Sequence, residues 1–484
     1  MSRTMPFSVV LALIAMPVHA ACTLDPSIAP VYEEQRLVNR LPGNDTPFAR
    51  RIVQAAGFEG RITAFADSLC RDGSTAIDSF DSAHRHVAAT GRDLWRAAVD
   101  RAQGRVIAGM LPASDDRPLY WTRLAMTRLL RQWRTPWLNE TEKTALIREF
   151  ERASRGQYDV TLPPGRKIRR MIVSGFDPFA LGEPGASGTA IRTGNPSGAL
   201  ALTLDGREVP LPDGSVLRIE TYLLPVSFAP FADGVQEDTL GPWFLKGPSR
   251  VDASLTVSQG IGYQFNLEAW NGRYHGGTFP GNDGKTACAP DGAGRPPGPQ
   301  GCDITPPERW SGLPAAPWKA DSPPQFTAST LPVARMLAAN TGAGIRRPPG
   351  DLATGEGAFD VTWNVSYSVF PDCERPGFVV LNRGLETMNR LPSGKPVAPP
   401  KGSCAREGGG GNYLSNESAY RNTLLRDAMK LSIPAGHIHT PVMNRFAPGG
   451  DGRISDEVFE TYRDAIVRQA ERLVMEVGKS LAER

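Results

Sequence analysis

One serine and two histidines near the C-terminus have the residue types that nucleophilic catalysis requires. Ser415 follows a glycine run at 408–411 and opens a segment with helical apolar spacing, and a helix N-terminus stabilises anionic oxygen. His437 and His439 lie two residues apart, on one face of a predicted strand. A hydroxyl beside an imidazole that takes its proton can attack an amide. Spacing alone leaves open whether Ser415 is instead an N-cap, and which histidine would be the base.

Six short motifs follow one another between residues 171 and 441. They lie at 171–179 (Met-Ile-Val-Ser-Gly-Phe-Asp-Pro-Phe), 195–197 (Asn-Pro-Ser), 224–228 (Leu-Pro-Val-Ser-Phe), 266–269 with 279–282 (Asn-Leu-Glu-Ala and Phe-Pro-Gly-Asn), 411–420 (Gly-Asn-Tyr-Leu-Ser-Asn-Glu-Ser-Ala-Tyr) and 436–441 (Gly-His-Ile-His-Thr-Pro). Together they resemble the pyroglutamyl peptidase (pyrrolidone-carboxylate peptidase) family of cysteine peptidases over residues 167 to about 445. Each motif is short, and their order carries the resemblance.

The resemblance implies a catalytic triad with a changed nucleophile. Ser415 stands where that family has its catalytic Cys, and the match to Gly-x-Ile-His-x-Pro selects His439 as the base. Glu268 matches the acid that holds the imidazole tautomer. The residues that resemble the substrate-binding set are Phe176, Phe179, Tyr413 and Leu414. Without the resemblance, Phe176 and Phe179 would equally fit a pair of core aromatics at a strand end.

The chain departs from the family pattern at two further places. The family usually carries an Arg shortly before its Pro-x-Asn, where this chain has Thr278, and Arg273 is a candidate substitute. Ala180 and Leu181 replace the usual Gly-Gly after Phe179. Loss of one oxyanion donor can lower a rate by ~10²–10³.

These residues predict an exported hydrolase that removes N-terminal pyroglutamate from peptides through a Ser-His-Glu triad. The alternative is an inactive homologue that binds pyroglutamyl or other lactam-ended ligands. The partner is therefore a peptide with N-terminal pyroglutamate, no cofactor or metal is expected, and oligomerisation is left open. The net charge is +3, from 54 basic and 51 acidic residues without a basic block, which argues against a nucleic-acid partner.

The N-terminus and the cysteines predict export. Arg3, an apolar run at 7–16 and the small-residue pattern before Ala21 are typical of a cleaved signal peptide over 1–20. That run is too short to span a bilayer, which needs about 20 residues, and no later segment is long and apolar enough to predict a membrane span. The six cysteines favour disulfides in the periplasm or outside the cell, with neighbour pairing 22–70, 288–302 and 373–404 as the hypothesis. The absence of Cys-x-x-Cys spacing argues against zinc.

The apolar periodicity predicts two regions of different class. Residues 21–162 have helical spacing, with a capping box at Asn139 and Glu142, and no recognisable role. Residues 167–484 alternate strand-length apolar runs with helical segments, which predicts a three-layer α/β/α domain with a mainly parallel sheet. A Gly/Pro-rich insertion is expected at about 283–350. Strands are expected at 168–174, 217–226, 254–257, 361–369 and 377–381, and a final helix from Asp456.

Overall fold

In the described part of the helical region, five helices pack around large buried aromatics. The computed structural model describes residues 22–71, 73, 76–276, 279–287, 323–346, 358–370, 381–383 and 397–483. Strand β1 (Thr23–Leu24), a 3-10 turn (Glu34–Val38) and helices α1 (Phe48–Ala55), α2 (Glu59–Leu69), α3 (Phe80–Ala102) and α4 (Arg117–Gln132) are followed by β2 (Trp133–Arg134), which pairs with β1, and by α5 (Glu140–Ala153). Trp95, Trp121 and Phe150 are fully buried between these helices. The capping box predicted at Asn139 and Glu142 begins α5.

The second region is built on a seven-stranded sheet. Its elements, in chain order, are β3 (Ile168–Phe176), α6 (Pro196–Leu204), β4 (Glu208–Pro210), β5 (Val216–Leu224), α7 (Phe228–Ala232), α8 (Val235–Phe244), β6 (Ala253–Gln259), β7 (Phe265–Glu268), β8 (Trp270–Gly272), β9 (Phe326–Ala328), α9 (Val333–Ala338), β10 (Val361–Asn364), β11 (Tyr367–Phe370), β12 (Leu381–Arg383), β13 (Cys404–Glu407), α10 (Leu414–Ala428), β14 (Ala435–Thr440) and α11 (Glu457–Ser480). The order across the sheet is β10-β7-β14-β6-β3-β5-β4. Four of the six pairings are parallel; those of β7 with β14 and of β4 with β5 are antiparallel.

Helices cover both faces of this sheet because side chains alternate along its inner strand β3. Met171 and Val173 of β3 point into a core with α6, α9 and α11, whereas Ile172 packs into a core with α7, α8 and α10. Strands buried on both faces are typical of sheets covered by helices on both sides. The predicted three-layer α/β/α class with a helical N-terminal region is therefore confirmed.

The run at 361–369 does not form the single strand that was predicted. It forms β10 and β11, which belong to different sheets, β11 lying between β12 and β13 in a sheet of three. The cause is Asn364, whose Oδ1 accepts from the Ser366 backbone N–H at 3.1 Å. Such a side chain competes with the strand ladder and turns the chain.

The described part of the predicted Gly/Pro-rich insertion contains regular structure. β9 pairs with β8, and Met336 of α9 is buried in the core beside α11. Residues 288–322 and 347–350 of that stretch lie outside the described residues, as do the predicted signal peptide over 1–20 and residues 377–380 of the last predicted strand.

The predicted bridge between Cys22 and Cys70 is confirmed. Cys404 is also disulfide-bonded. Its predicted partner, Cys373, and the predicted 288–302 pair lie outside the described residues. Within the described ranges, the helices are all too short or too polar to cross a membrane.

A buried carboxylate joins the helical region to the end of β3. Asp177, directly after β3, lies 2.6 Å from Arg123 of α4 and 2.9 Å from Arg155, which follows α5. The side chains of all three are at most 7% exposed. The pair of guanidinium groups therefore fixes the segment that carries Phe176 and Phe179 against the helices.

Replacing Asp177→Asn should lower the free energy of unfolding by roughly 3 kcal/mol, because the buried guanidiniums of Arg123 and Arg155 lose one of the two carboxylates that they share, the other being that of Glu151. Urea denaturation measures the change. Asp233→Asn is the matched control, since Asp233 pairs with Arg148 between side chains that are 55% and 62% exposed. That exposed pair should contribute less than about 1 kcal/mol. Equal losses in the two variants would contradict the importance of the junction.

Candidate active site

Glu268 and His439 meet on two neighbouring antiparallel strands. Glu268 is the last residue of β7, and β14, which carries His439, pairs with β7 in antiparallel register. The carboxylate Oε1 lies 2.7 Å from His439 Nδ1. Glu268 is fully buried, and the His439 side chain is 9% exposed. A carboxylate at Nδ1 favours the tautomer in which Nε2 is free to accept a proton.

His437 shares the strand face with His439 but has different partners. Its Nδ1 lies 2.7 Å from Thr256 Oγ1 and its Nε2 lies 2.8 Å from Ser258 Oγ. Burial, and secondly the nearby His439, hold the pKa of His437 well below its ordinary range. With both nitrogens engaged and the ring fully buried, His437 is a neutral structural residue. Of the two histidines that sequence spacing could not separate, His439 is the one paired with a carboxylate.

The glycine run forms a tight turn against this pair. Gly408 and Gly411 exchange backbone hydrogen bonds of 2.9 and 3.0 Å. A Cβ at Gly409 would lie 2.1 Å from Glu268 Oε2. A Cβ at Gly410 would lie 3.2 Å from His439 Cε1 and 3.4 Å from the Asn416 backbone nitrogen. The imidazole of His439 and the start of helix α10 therefore both lie next to Gly410 of the glycine turn.

Ser415 is the second residue of α10 and is half-buried. The N-cap position belongs to Tyr413, whose side chain caps nothing, so Ser415 is not the N-cap. Asn416 holds the helix start in place, since its side chain exchanges hydrogen bonds of 2.8 Å with the backbone N–H and C=O of Gly272. Among the described residues, no hydrogen bond joins the Ser415 hydroxyl to His439. In unliganded enzymes such bonds are often long and tighten on substrate binding.

The four residues of the predicted substrate-binding set belong to one apolar cluster beside α10. Phe176 is 3% exposed and stacks on Phe231 at 6.4 Å, and Leu414 is 1% exposed, so both lie in the core. Phe179 and Tyr413 are half-buried. The Tyr413 hydroxyl donates to the Pro280 carbonyl oxygen at 2.9 Å. Two members of the predicted set therefore reach the surface, and two support them from behind.

Two family profiles together match most of the chain. Residues 170–444 match the profile described as PA0049, C-terminal domain, and residues 15–151 match the PA0049 N-terminal domain. "Uncharacterized protein PA0049" of Pseudomonas aeruginosa PAO1 is 52% identical over 513 residues, which cover 96% of this chain and 92% of that protein. The chain belongs to the PA0049 family.

Solved structures that match this chain in a structural comparison include pyrrolidone carboxyl peptidases from the hyperthermophile Pyrococcus furiosus. A mutant form is 17% identical, with a TM-score of 0.33, and the similarity covers 63% of this chain and 99% of that one. A second structure of the same enzyme gives the same identity and TM-score over 64% of this chain. All the site residues predicted from the sequence lie within the segment that matches the PA0049 C-terminal domain.

That segment also contains a buried histidine that sequence reasoning missed. His275 Nδ1 lies 2.9 Å from Glu417 Oε2, and the ring of His275 packs edge-on against Phe228 at 5.7 Å. Burial alone would raise the pKa of Glu417, but the charges of His275 and Arg421 outweigh it and lower the pKa to about 2. The i, i+4 spacing of Glu417 and Arg421 could have predicted their ion pair on α10, but no local pattern connects them with His275, which is 142 residues away from Glu417 in the chain.

The arginine of the pyroglutamyl peptidase pattern was compared above with Thr278 and Arg273 of this chain, and the structure describes only the second of these. Thr278 lies outside the described residues. Arg273 is half-buried, and its backbone N–H donates to the Gln325 carbonyl at 2.9 Å. Burial lowers the pKa of its guanidinium, against the opposing effect of Tyr420 on α10.

Gly409→Ala should destabilise the protein by about 1–3 kcal/mol, because the new methyl group would overlap the buried Glu268 carboxylate. Chemical denaturation measures the loss. Gly247→Ala is the control, because a Cβ at Gly247 would meet nothing within 4 Å. If the Gly409→Ala protein is as stable as the control, the glycine turn does not pack closely against Glu268 and His439.

The low pKa of His437 has a consequence for stability. Below the ordinary histidine pKa of 6.5 the unfolded chain takes up a proton on His437, whereas the folded protein does not until the pH reaches the lowered folded pKa. The contribution of His437 to the free energy of unfolding is therefore complete above pH 6.5 and is lost as the pH falls towards the folded pKa. In His437→Gln, the slope of unfolding free energy between pH 6.5 and 5 should therefore be flatter by up to about 1.4 kcal/mol per pH unit. Urea titrations at several pH values measure it, and His84→Gln, at a partly exposed site, serves as the control. An unchanged slope in His437→Gln would show that His437 protonates normally in the folded protein.

Proposed function

We propose that this PA0049-family protein is an exported hydrolase that removes N-terminal pyroglutamate from peptides. The observation that carries the proposal is the 2.7 Å contact between His439 Nδ1 and Glu268 Oε1, beside the glycine turn that leads into α10. The six ordered sequence motifs support it independently. Ser415 is the nucleophile, His439 the base and Glu268 the residue that orients the imidazole.

The reaction follows the logic of a serine acyl transfer. Ser415 Oγ attacks the carbonyl carbon of the pyroglutamyl residue while its proton passes to His439 Nε2. The tetrahedral intermediate collapses, the peptide amine leaves with that proton, and pyroglutamate stays as an ester on Ser415. Water, deprotonated by His439, then cleaves the ester and restores the hydroxyl.

The start of α10 is suited to the negative charge that develops on the carbonyl oxygen. The helix begins without a side-chain cap, so the backbone N–H groups of its first turn can donate to an anion. A hydroxyl is far less acidic than a thiol near pKa 8.5, so serine depends more on this stabilisation and on concerted proton transfer than cysteine would.

Phe179 and Tyr413 are the residues that reach a flat lactam, with Phe176 and Leu414 behind them. Flat rings provide contact area at a small cost in side-chain entropy. An exported location provides a physical reason for a serine nucleophile in place of cysteine. In an oxidising compartment a reactive thiolate is consumed in disulfides, whereas a hydroxyl is not.

A lactam-binding protein without catalysis is the second candidate. The observation in its favour is that no hydrogen bond links Ser415 to His439 within the described part of the chain. Both candidates retain the aromatic residues, so binding alone does not separate them.

Purified mature protein should release the fluorophore from a pyroglutamyl amide, and Ser415→Ala should not. Glu268→Gln should lower kcat by about 10⁴, because the imidazole loses its tautomer control. Glu457→Gln, an exposed change in the first turn of α11, should leave the rate unchanged.

A Ser415→Cys protein separates the two candidates further. If the remaining groups are competent, it should hydrolyse the same amide and be inactivated by thiol alkylation, and His439→Ala should abolish its activity. Calorimetric binding of a pyroglutamyl peptide without turnover by either the serine or the cysteine form would establish the binding protein instead. Neither binding nor turnover would reject both.

A further inference from the structure

One arginine of the helical region binds two loops of the α/β region at once. Arg36, in the 3-10 turn before α1, is 5% exposed. Its Nε donates to the Gly182 carbonyl oxygen at 2.8 Å, and its Nη1 donates to the Asn282 carbonyl oxygen at 2.6 Å. Its guanidinium also lies 5.0 Å from the centre of the Tyr32 ring. A guanidinium with fixed donors is suited to bridging two separate carbonyls.

Of the two loops that Arg36 bridges, the first carries Phe179 and the second accepts a hydrogen bond from Tyr413, so each adjoins one surface aromatic of the proposed site. Gly182 lies three residues after Phe179. Asn282 lies two residues after Pro280, whose carbonyl accepts from the Tyr413 hydroxyl at 2.9 Å. The Asn282 side chain donates to the Pro178 carbonyl at 2.8 Å, so the loops are also joined to each other. A displacement of Arg36 would therefore act on both walls of the site.

The first of these loops is held in a strained conformation. Ala180 has φ +56°, a left-handed backbone that costs a non-glycine residue of order 1 kcal/mol or more. Such a conformation persists only where its surroundings enforce it. Asn39, also from the helical region, supplies further contacts, since its Nδ2 donates to the Glu183 carbonyl at 2.9 Å and its Oδ1 accepts from the Gly185 N–H at 2.6 Å.

We propose that the helical N-terminal region completes the substrate site, with Arg36 as the positioning residue that clamps the loops bearing Phe179 and Pro280. The proposal rests on the proposed function and assigns a role to a region with no catalytic motif of its own. Arg36 does not touch the reacting atoms. It sets the distance between the two walls that receive the lactam ring, and so acts on substrate binding more than on the chemical step.

The test compares Arg36→Ala, Arg36→Lys and Arg148→Ala in the full mature chain. Arg148→Ala is the matched control, because it removes an exposed arginine of the same region that pairs with Asp233 and not with either loop. With the pyroglutamyl amide, Arg36→Ala should raise KM by about 10-fold or more and change kcat by less than about 3-fold. Arg36→Lys should recover part of the loss. The control should match the wild type.

Hydrogen exchange gives a readout that does not depend on turnover. Peptides covering residues 178–185 and 280–285 should exchange at least about 10-fold faster in Arg36→Ala than in the wild type, while peptides from β5 keep their rates. Unchanged exchange in both loops would overturn the clamp. Faster exchange with an unchanged KM would overturn its role in substrate binding.

The two proposals can fail separately. If the wild type and Ser415→Cys neither bind nor cleave the pyroglutamyl substrate, the proposed function fails and the role of Arg36 in substrate binding fails with it. The hydrogen-exchange arm then decides whether the clamp itself exists. If the substrate is cleaved and Arg36→Ala keeps its KM and its exchange rates, only the inference about the helical region fails.

Discussion

The carboxylate of Asp177 is buried between two guanidinium groups, and much of the molecule is arranged around it. It directly follows the inner strand β3, while Arg123 and Arg155 come from the helical region. Removing charges from water is costly, so the three groups are tolerated together and each would be unfavourable alone. The Asp177 backbone oxygen also accepts from the Asn195 side chain at 2.9 Å, which ties the start of α6 to the same point. Helices, sheet and the aromatic loop thus share one electrostatic anchor.

The two histidines of β14 show how one strand provides two chemically distinct imidazoles. His437 has hydroxyl groups on both nitrogens, and those partners suit a neutral ring. His439, whose ring centre is 4.6 Å away, has a carboxylate on Nδ1. The neutral ring packs edge-on against the paired one without adding a positive charge to it. The difference arises from the neighbouring strands: β6 supplies hydroxyls, and β7 supplies the acid.

The sequence predicted those parts of the protein that depend on local pattern. Strand-length apolar runs located β3, β5 and β6, and the capping signal at Asn139 located the start of α5. Motif order paired Glu268 with His439, although they are far apart in the chain. By contrast, Asp177 lies within the first motif but received no predicted role there, and Arg36 lies in a region without motifs. Their roles arise from docking between the two regions, which single-sequence periodicity does not contain. The break at Asn364 was missed because a side-chain hydrogen bond overrode strand propensity.

The disulfide between Cys22 and Cys70 closes a loop with a sequence separation of 48, and Arg36 and Asn39 both lie inside that loop. The first residues of a domain are ordinarily its least ordered part. Here the bridge closes residues 22–70 into a ring, which in the chain-entropy model lowers the conformational entropy of the unfolded state by an amount worth about 4 kcal/mol. Oxidation of the two thiols thereby constrains the segment whose Arg36 and Asn39 side chains bind the loop after Phe179. The segment that carries Arg36 and Asn39 is therefore covalently joined back to the end of α2, whatever the state of the rest of the chain.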